Sequence, residues 1–330
     1  MFSKRHNVKV ISRKVDDIAA KKPEFEVTTP NKSGMQYVIH TTKLIEIFCS
    51  CDDFCLLVKQ SQQALDTPLR KPTRQPVMSE SEIMTIAIFY HLSGFKCFEY
   101  YYRQLLSGPL RPYFPNAVSY ERFVALMPRV MPLLCLYLAL VRCGQQTGVY
   151  YGDSKKLPVC DNRRIHQNSV FKGHADRGKS STGWFFGFKV FLVINQYGQI
   201  MRCQLTKASK ADNNYDWMIK FFKGLNGFLF TDKGFLSTKA FETLYNDGLK
   251  LITGIRANMK NKLMDLTEKH LHKKRGVIES VNDILMTICD IDHTRHRSPM
   301  NFLVNLFAGV SAYTFLDKLP SIFNKKLTLA

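Results

Sequence analysis

The 330-residue chain is short of acid: Asp plus Glu is 27 against 47 Lys plus Arg, a net charge of +20. A cation excess of that size argues against a basic partner and points to a polyanion. The chain also lacks any Cys-x-x-Cys pair among its nine cysteines. Cys49, Cys51 and Cys55 are clustered, but no second cluster completes a zinc tetrahedron, so reduced and mostly buried thiols of a cytosolic protein are expected. Long apolar runs are missing too. Phe302–Leu316 spans 15 residues and contains Asn305, short of the ~20 that cross a bilayer. Met1–Lys22 is polar and basic, so no secretory leader is expected there. No nucleophile elbow is present. What is abundant is core material: 45% of residues are hydrophobic and 12% aromatic, enough for a folded protein of two or three domains.

Four regions are expected. Residues 1–40 read as a basic, weakly patterned arm, either DNA-contacting, disordered or an upstream extension ahead of Met35. Residues 41–145 read as helical. Ser79 with Glu82 forms a capping box, and Ile83, Ile86, Ala87 and Tyr90 follow at helical spacing. Ser119 caps a second pattern of Tyr120, Phe123, Val124 and Met127, which Pro128 and Pro132 kink or end. Between them, Leu65–Val77 holds three prolines and three cations and reads as a basic linker. Such a bundle is either a reader of DNA ends or a dimerisation and packing module.

From about residue 146 the pattern turns strand-like, at 148–152, 184–194, 199–206, 227–231 and 249–255. Asn195–Gly198 reads as a hairpin turn, and Asp216–Phe222 and Thr238–Tyr245 as crossover helices. The order β-β-β-α-β-α-β-α predicts an α/β domain with a mixed sheet, an antiparallel hairpin followed by parallel strands. This is an RNase H-like layout over residues 146–295. A helical segment over 296–330 closes the chain.

Three acids stand where such a sheet would gather them. Asp153 follows the apolar run Gly148–Gly152, and Asp232 follows Gly227–Thr231. Glu279 lies at a helix start, Arg275–Val281. Paired carboxylates around hard cations suit phosphodiester chemistry. The bland alternatives are a turn-forming Asp232 and an i, i+4 ion pair of Glu279 with Arg275. On the Glu279 helix, Val277, Val281, Ile284, Leu285 and Ile288 are expected to be buried. Arg275, Glu279, Asn282 and Met286 line the adjacent face, with Arg275 placed to reach a phosphate.

Two basic stretches flank the acids. One holds Lys155, Lys156, Arg163, Arg164, Lys172, Arg177 and Lys179; the other holds Arg256, Lys260, Lys262, Lys269, Lys273, Lys274 and Arg275. They would line a groove for phosphates. Lys233, Arg295 and Arg297 are further candidates. Trp184, Phe185, Phe186 and Phe188 alternate with smaller neighbours and read as strand core rather than as base-stacking residues. His293 and His296 lack a third ligand nearby, which favours phosphate contact or helix capping over metal.

Several stretches, taken in order, resemble a family. They are Asp153-Ser154 with Leu157-Pro158-Val159-Cys160, Gly178-Lys179-Ser180 with Gly183–Lys189, Asp232-Lys233-Gly234-Phe235, Lys274-Arg275 with Ile278-Glu279-Ser280-Val281, and His293–Ser298. Over residues 41–320 the chain resembles the DDE transposases of bacterial insertion sequences, the insertion-sequence-982 family most of all.

The resemblance implies an RNase H-like catalytic domain in which Asp153, Asp232 and Glu279 hold two Mg²⁺ ions, with Mn²⁺ able to substitute. Asp153 would bridge the ions, roughly 3.5–4 Å apart. It further implies a helical domain for terminal inverted repeats, double-stranded DNA as partner, and a homodimer or larger assembly on DNA. A cytoplasmic, nucleoid-associated location follows, with no membrane contact. Strand cleavage would be followed by transfer of the 3′-OH strand to target DNA. Related transposases carry a Tyr-Arg-Glu-Lys signature, whose positions here hold His272, Arg275, Glu279 and Met286, so only Arg and Glu match. A nuclease on the same fold and an inactive DNA-binding derivative are the alternatives.

Overall fold

A computed structural model describes residues 26–30, 36–64, 76–180, 183–254, 265–292 and 296–323, of which 26–30, 36–40 and 63–64 are described as backbone alone. The expected arm contains structure: β1 (Glu26–Pro30) and β2 (Gln36–His40) pair antiparallel, Thr28 opposite Val38. Both strands are rich in β-branched residues, a composition that suits a hairpin even in a basic segment. The proposed linker lies mostly outside the described residues.

The helical region comprises α1 (Thr41–Ala64), α2 (Glu80–Tyr90), α3 (Phe98–Tyr101, running on as a wider π turn to Leu106), α4 (Tyr120–Leu126) and α5 (Met131–Leu140). The capping box is present. The Glu82 amide donates to Ser79 Oγ at 3.1 Å, and the Ser79 amide donates to Glu82 Oε2 at 2.7 Å. A 3-10 turn at Met127–Val130 separates α4 from α5, where Pro128 and Pro132 interrupt regular hydrogen bonding. By length and composition the run Tyr120–Leu140 could cross a membrane, but it is broken at these prolines and buries Leu134 and Tyr137 in the core.

The sheet follows as β3 (Val149–Cys160), β4 (Asp176–Ser180), β5 (Gly183–Asn195), β6 (Ile200–Lys207), then α6 (Tyr215–Phe222), β7 (Gly227–Thr231), α7 (Thr238–Asn246) and β8 (Leu249–Thr253). Helices α8 (Leu266–Lys273), α9 (Gly276–Thr287) and α10 (Pro299–Tyr313) complete the chain. β3 lies between antiparallel β5 and parallel β7; β6 pairs with β5, and β8 extends the parallel side. This strand order is the RNase H-like one, with the first and fourth strands of the domain as central neighbours. The short edge strand β4, which pairs with the start of β5, was not expected.

Two apolar layers sandwich the sheet, because side chains alternate faces along each strand. Tyr151, Leu157, Leu192, Phe230 and Ile252 join the core of α1–α5, α9 and α10. Tyr150, Phe191, Val193, Leu229 and Leu251 pack with Trp217, Phe221, Phe222, Ala240 and Leu244 of α6 and α7. The parallel pair begins at a close glycine approach. Gly227 has φ +108, and a Cβ there would lie 2.2 Å from the Gly148 carbonyl oxygen. That oxygen accepts from the Phe228 amide at 2.8 Å. A side chain at 227 would push the strands apart and lose the register that places the site.

Candidate active site

The β3–β7 register runs Val149↔Phe228, Tyr150↔Leu229 and Tyr151↔Phe230, and pairing stops there. Continued by two residues, it sets Asp153 beside Asp232. Gly152 and Thr231 fill the step between, with Thr231 Cγ2 3.1 Å from where a Gly152 Cβ would lie. Alternation points both aspartates to the face shared by Tyr151 and Phe230, the face on which α9 packs. The two predicted acids are therefore brought together at the point where the parallel strands part.

One expectation needs correction. Asp153 does not end its strand: β3 continues to Cys160, because β5 pairs with it along this length, Asp153 opposite Leu192. Asp232 does follow its strand directly, and its Oδ1 accepts from the Lys233 amide at 2.7 Å, capping a 3-10 turn. The turn role and the site role coincide in this residue.

Asp153 is the electrostatically unusual group. Burial pushes its carboxyl up, to about 6, and the charge of Asp232 adds to the rise; the Ser154 amide, Arg275 and Lys155 oppose it. Burial and a neighbouring carboxylate both disfavour the charged form of Asp153. A divalent cation with oxygen ligands would relieve both effects, so the pair fits such an ion.

Glu279 stands on the first turn of α9, as expected, but its carboxylate does not join the pair. It is exposed and accepts from Arg275 Nη2 at 2.8 Å. Among the described residues no group of three His, Cys, Asp or Glu side chains is placed to hold a metal. What reaches the pair from α9 is Asn282, one turn after Glu279. Only 1% exposed, it donates from Nδ2 to Asp153 Oδ2 at 3.0 Å. Its Oδ1 is buried with no hydrogen-bond partner, as is Thr231 Oγ1. The buried face of α9 is correspondingly shifted: Val277, Ile278, Val281, Asn282 and Leu285 are buried, and Ile288 is 52% exposed.

One further acid escaped the sequence reading. Asp212 accepts from Ser154 Oγ at 2.8 Å and from Lys189 Nζ at 2.7 Å. It also sits against Gly234, where a Cβ would lie 3.3 Å from Asp212 Oδ2. It thereby ties β3, β5 and the turn after Asp232. The signal was Lys189, a cation inside an otherwise apolar strand, which needs a partner when buried.

The candidate phosphate contacts divide. Lys155 and Arg275 lie within electrostatic reach of Asp153. Lys233 and Lys274 are exposed near the ends of β7 and α8, and Lys156 is half-buried on β3. Arg163 and Arg164 are exposed on a 3-10 turn, Asn162–Gln167, and Lys179 is exposed on β4, so these three belong to the far end of the sheet. Arg297 is exposed and electrostatically coupled to Tyr120. Arg295, His293, Arg256, Lys260 and Lys262 lie outside the described residues. His296 packs edge-on to Phe302 at 5.4 Å. Phe185, Phe186 and Phe188 are buried as expected, whereas Trp184 is 62% exposed.

No curated protein matches the chain. A solved structure, the crystal structure of the Mos1 strand transfer complex, is similar at 16% identity, covering 68% of this chain and 78% of that one, with a TM-score of 0.21. Residues 143–299, the stretch holding Asp153, Asp232 and Glu279, match the family model of the transposase DDE domain. Over these residues the chain is similar to a transposase DDE domain.

Proposed function

We propose that the protein is a DNA transposase of the bacterial insertion-sequence kind, of the 982 family, acting in the cytoplasm at the nucleoid. It cuts at the ends of its element and transfers the 3′-OH strand to target DNA. The observation that carries this reading is the juxtaposition of Asp153 and Asp232 by strand register, within a segment that matches a transposase DDE domain.

Asp153 and Asp232 would be the first ligands of divalent cations, physiologically Mg²⁺ with Mn²⁺ as substitute. Glu279 would join them on leaving Arg275. Such ions, held by these carboxylates, would supply charge stabilisation for phosphodiester displacement. Asn282 fixes the orientation of the Asp153 carboxylate. Arg275, freed from Glu279, pairs with a phosphate through its guanidinium fork. Lys155, Lys233 and Lys274 hold the strand near the acids. Lys156, Arg163, Arg164, Lys179, Arg295 and Arg297 extend the contact along DNA. Residues 41–145 recognise the terminal inverted repeats, and a homodimer or larger assembly brings two ends together.

The test is a reaction of purified protein with labelled element ends and a supercoiled target, in Mg²⁺ or in EDTA. Metal-dependent cleavage followed by a joined product supports the proposal. Cleavage without joining would make the protein a nuclease on this fold. Binding with neither would make it an inactive derivative.

A further inference from the structure

The chain has two tryptophans, and they are used in opposite ways. Trp217 is 7% exposed and stacks on Phe221 at 4.9 Å inside the α6–α7 layer. Trp184 is 62% exposed, so most of the area that makes a tryptophan useful to a core stays in water. The hairpin end that carries it is nevertheless well fastened. Asn162 Nδ2 donates to the Trp184 carbonyl at 2.7 Å, and Ser180 Oγ donates to the Gly183 carbonyl at 3.1 Å.

The surroundings are cationic. Lys179 is the cross-strand partner of Trp184, and its ammonium lies 5.9 Å from the indole centroid. Arg177, two residues earlier on β4, shares that face and is exposed. Arg163 and Arg164 are exposed on the 3-10 turn that Asn162 begins. The nearby acids are engaged: Asp161 Oδ1 accepts from the Arg163 amide, and Asp176 Oδ2 accepts from Ser209 Oγ. A flat ring with cations on its flank fits a base with phosphates on either side. A base inside a duplex is covered by its neighbours, so the ring is best matched by an unpaired one.

Its place on the sheet supports this. Trp184 lies eight residues along β5 from Leu192, the partner of Asp153. At ~3.3 Å per residue that is roughly 26 Å, or about eight nucleotide steps of duplex DNA at ~3.4 Å each. We propose that Trp184, with Lys179 and Arg177, is a stacking platform for an unpaired base of DNA held about eight nucleotides from the Asp153–Asp232 pair. This rests on the DNA reading given above and adds the form of DNA that the far end of the sheet receives.

The test uses the full chain in EDTA, titrated with a ~20-nucleotide oligothymidylate and with a duplex of equal length. Indole emission is followed in parallel with the anisotropy of end-labelled DNA. Quenching by the single strand, its loss in Trp184→Phe, and a roughly 5- to 100-fold weaker single-strand affinity in Trp184→Ala are expected. Thermal melting checks that both variants fold. Binding seen by anisotropy without quenching overturns the platform and leaves the transposase reading intact. So does equal quenching by the duplex, which would mean groove or end contact instead. Quenching by anionic vesicles but by no DNA overturns it in favour of a membrane surface. Absence of binding to every DNA tried overturns both readings.

Discussion

Strand β3 is bordered by two unlike neighbours. On the antiparallel side β5 accompanies it from Tyr150 to Cys160; on the parallel side β7 stays with it for three residues and then turns away. The long border makes the backbone at Asp153 rigid. The short one stops before the Asp153 carboxylate, leaving the exposed Asp232 at the rim where the strands part. The acid pair thus stands on a strand held along one border at the place where its other border ends. The antiparallel side carries the distant cations and Trp184, the parallel side the acids.

The comparison is broken most severely at the rim. Asp232→Asn should lower strand cleavage by on the order of 10³–10⁴-fold while end binding, followed by gel shift, stays near wild type. Undiminished cleavage would remove the aspartate pair from the chemistry. Next is the amide behind the pair. Asn282→Ala should weaken Mn²⁺ binding by about 10- to 100-fold, as outer-shell changes do, in a calorimetric titration of DNA-free protein. An unchanged affinity would reduce Asn282 to a core residue.

A third test concerns the cost of the frame. The Asp153 carboxyl is raised from 3.8 to about 6, so the folded protein binds more protons than the unfolded one between those values. Stability contributed by this group therefore falls as pH rises through that window. Asp153→Asn, which keeps an acceptor for Asn282, should stabilise metal-free protein at pH 7.5 by ~1–2 kcal/mol and have little effect at pH 4. Urea midpoints at the two values decide it, and an equal effect at both would refute the pH linkage. The smallest effect is expected at the ion pair on α9. Arg275→Gln should cost only ~0.3–0.5 kcal/mol of stability, whereas its effect on cleavage should be much larger. A large loss of stability would make the pair structural.

Much of this was legible in the sequence because it depends on local pattern and register. Asp153 and Asp232 are separated by the same 79 positions that separate each residue of β3 from its partner on β7, so the apolar runs before them already encode their meeting. The capping box, the proline break and the crossover helices are equally local. What was missed depends on neighbours distant in sequence. The polar stretch after Asp153 carries no strand signal of its own, and β5 imposes the strand. β4 has no β-branched residue and exists as an edge partner of β5. Trp184, Phe186 and Phe188 share one alternating face, but that face is covered at Phe188 by Phe171 and Phe302 and left bare at Trp184. Asn282 sits in an apolar stripe where periodicity alone assigns it to the adjacent face, and only the carboxylate opposite explains its burial. The carboxylate of Glu279 is set by its pairing with Arg275, which i, i+4 spacing did foretell.

The Asn282–Asp153 hydrogen bond joins residues 129 positions apart. Domains fold as their segments leave the ribosome, and the two strands that bring the aspartates together are made well before the helix that orients one of them. A chain interrupted before α9 would therefore carry both aspartates without the amide that sets Asp153 and without Glu279. The order of synthesis thus makes the orientation of the aspartate pair one of the last features the chain acquires.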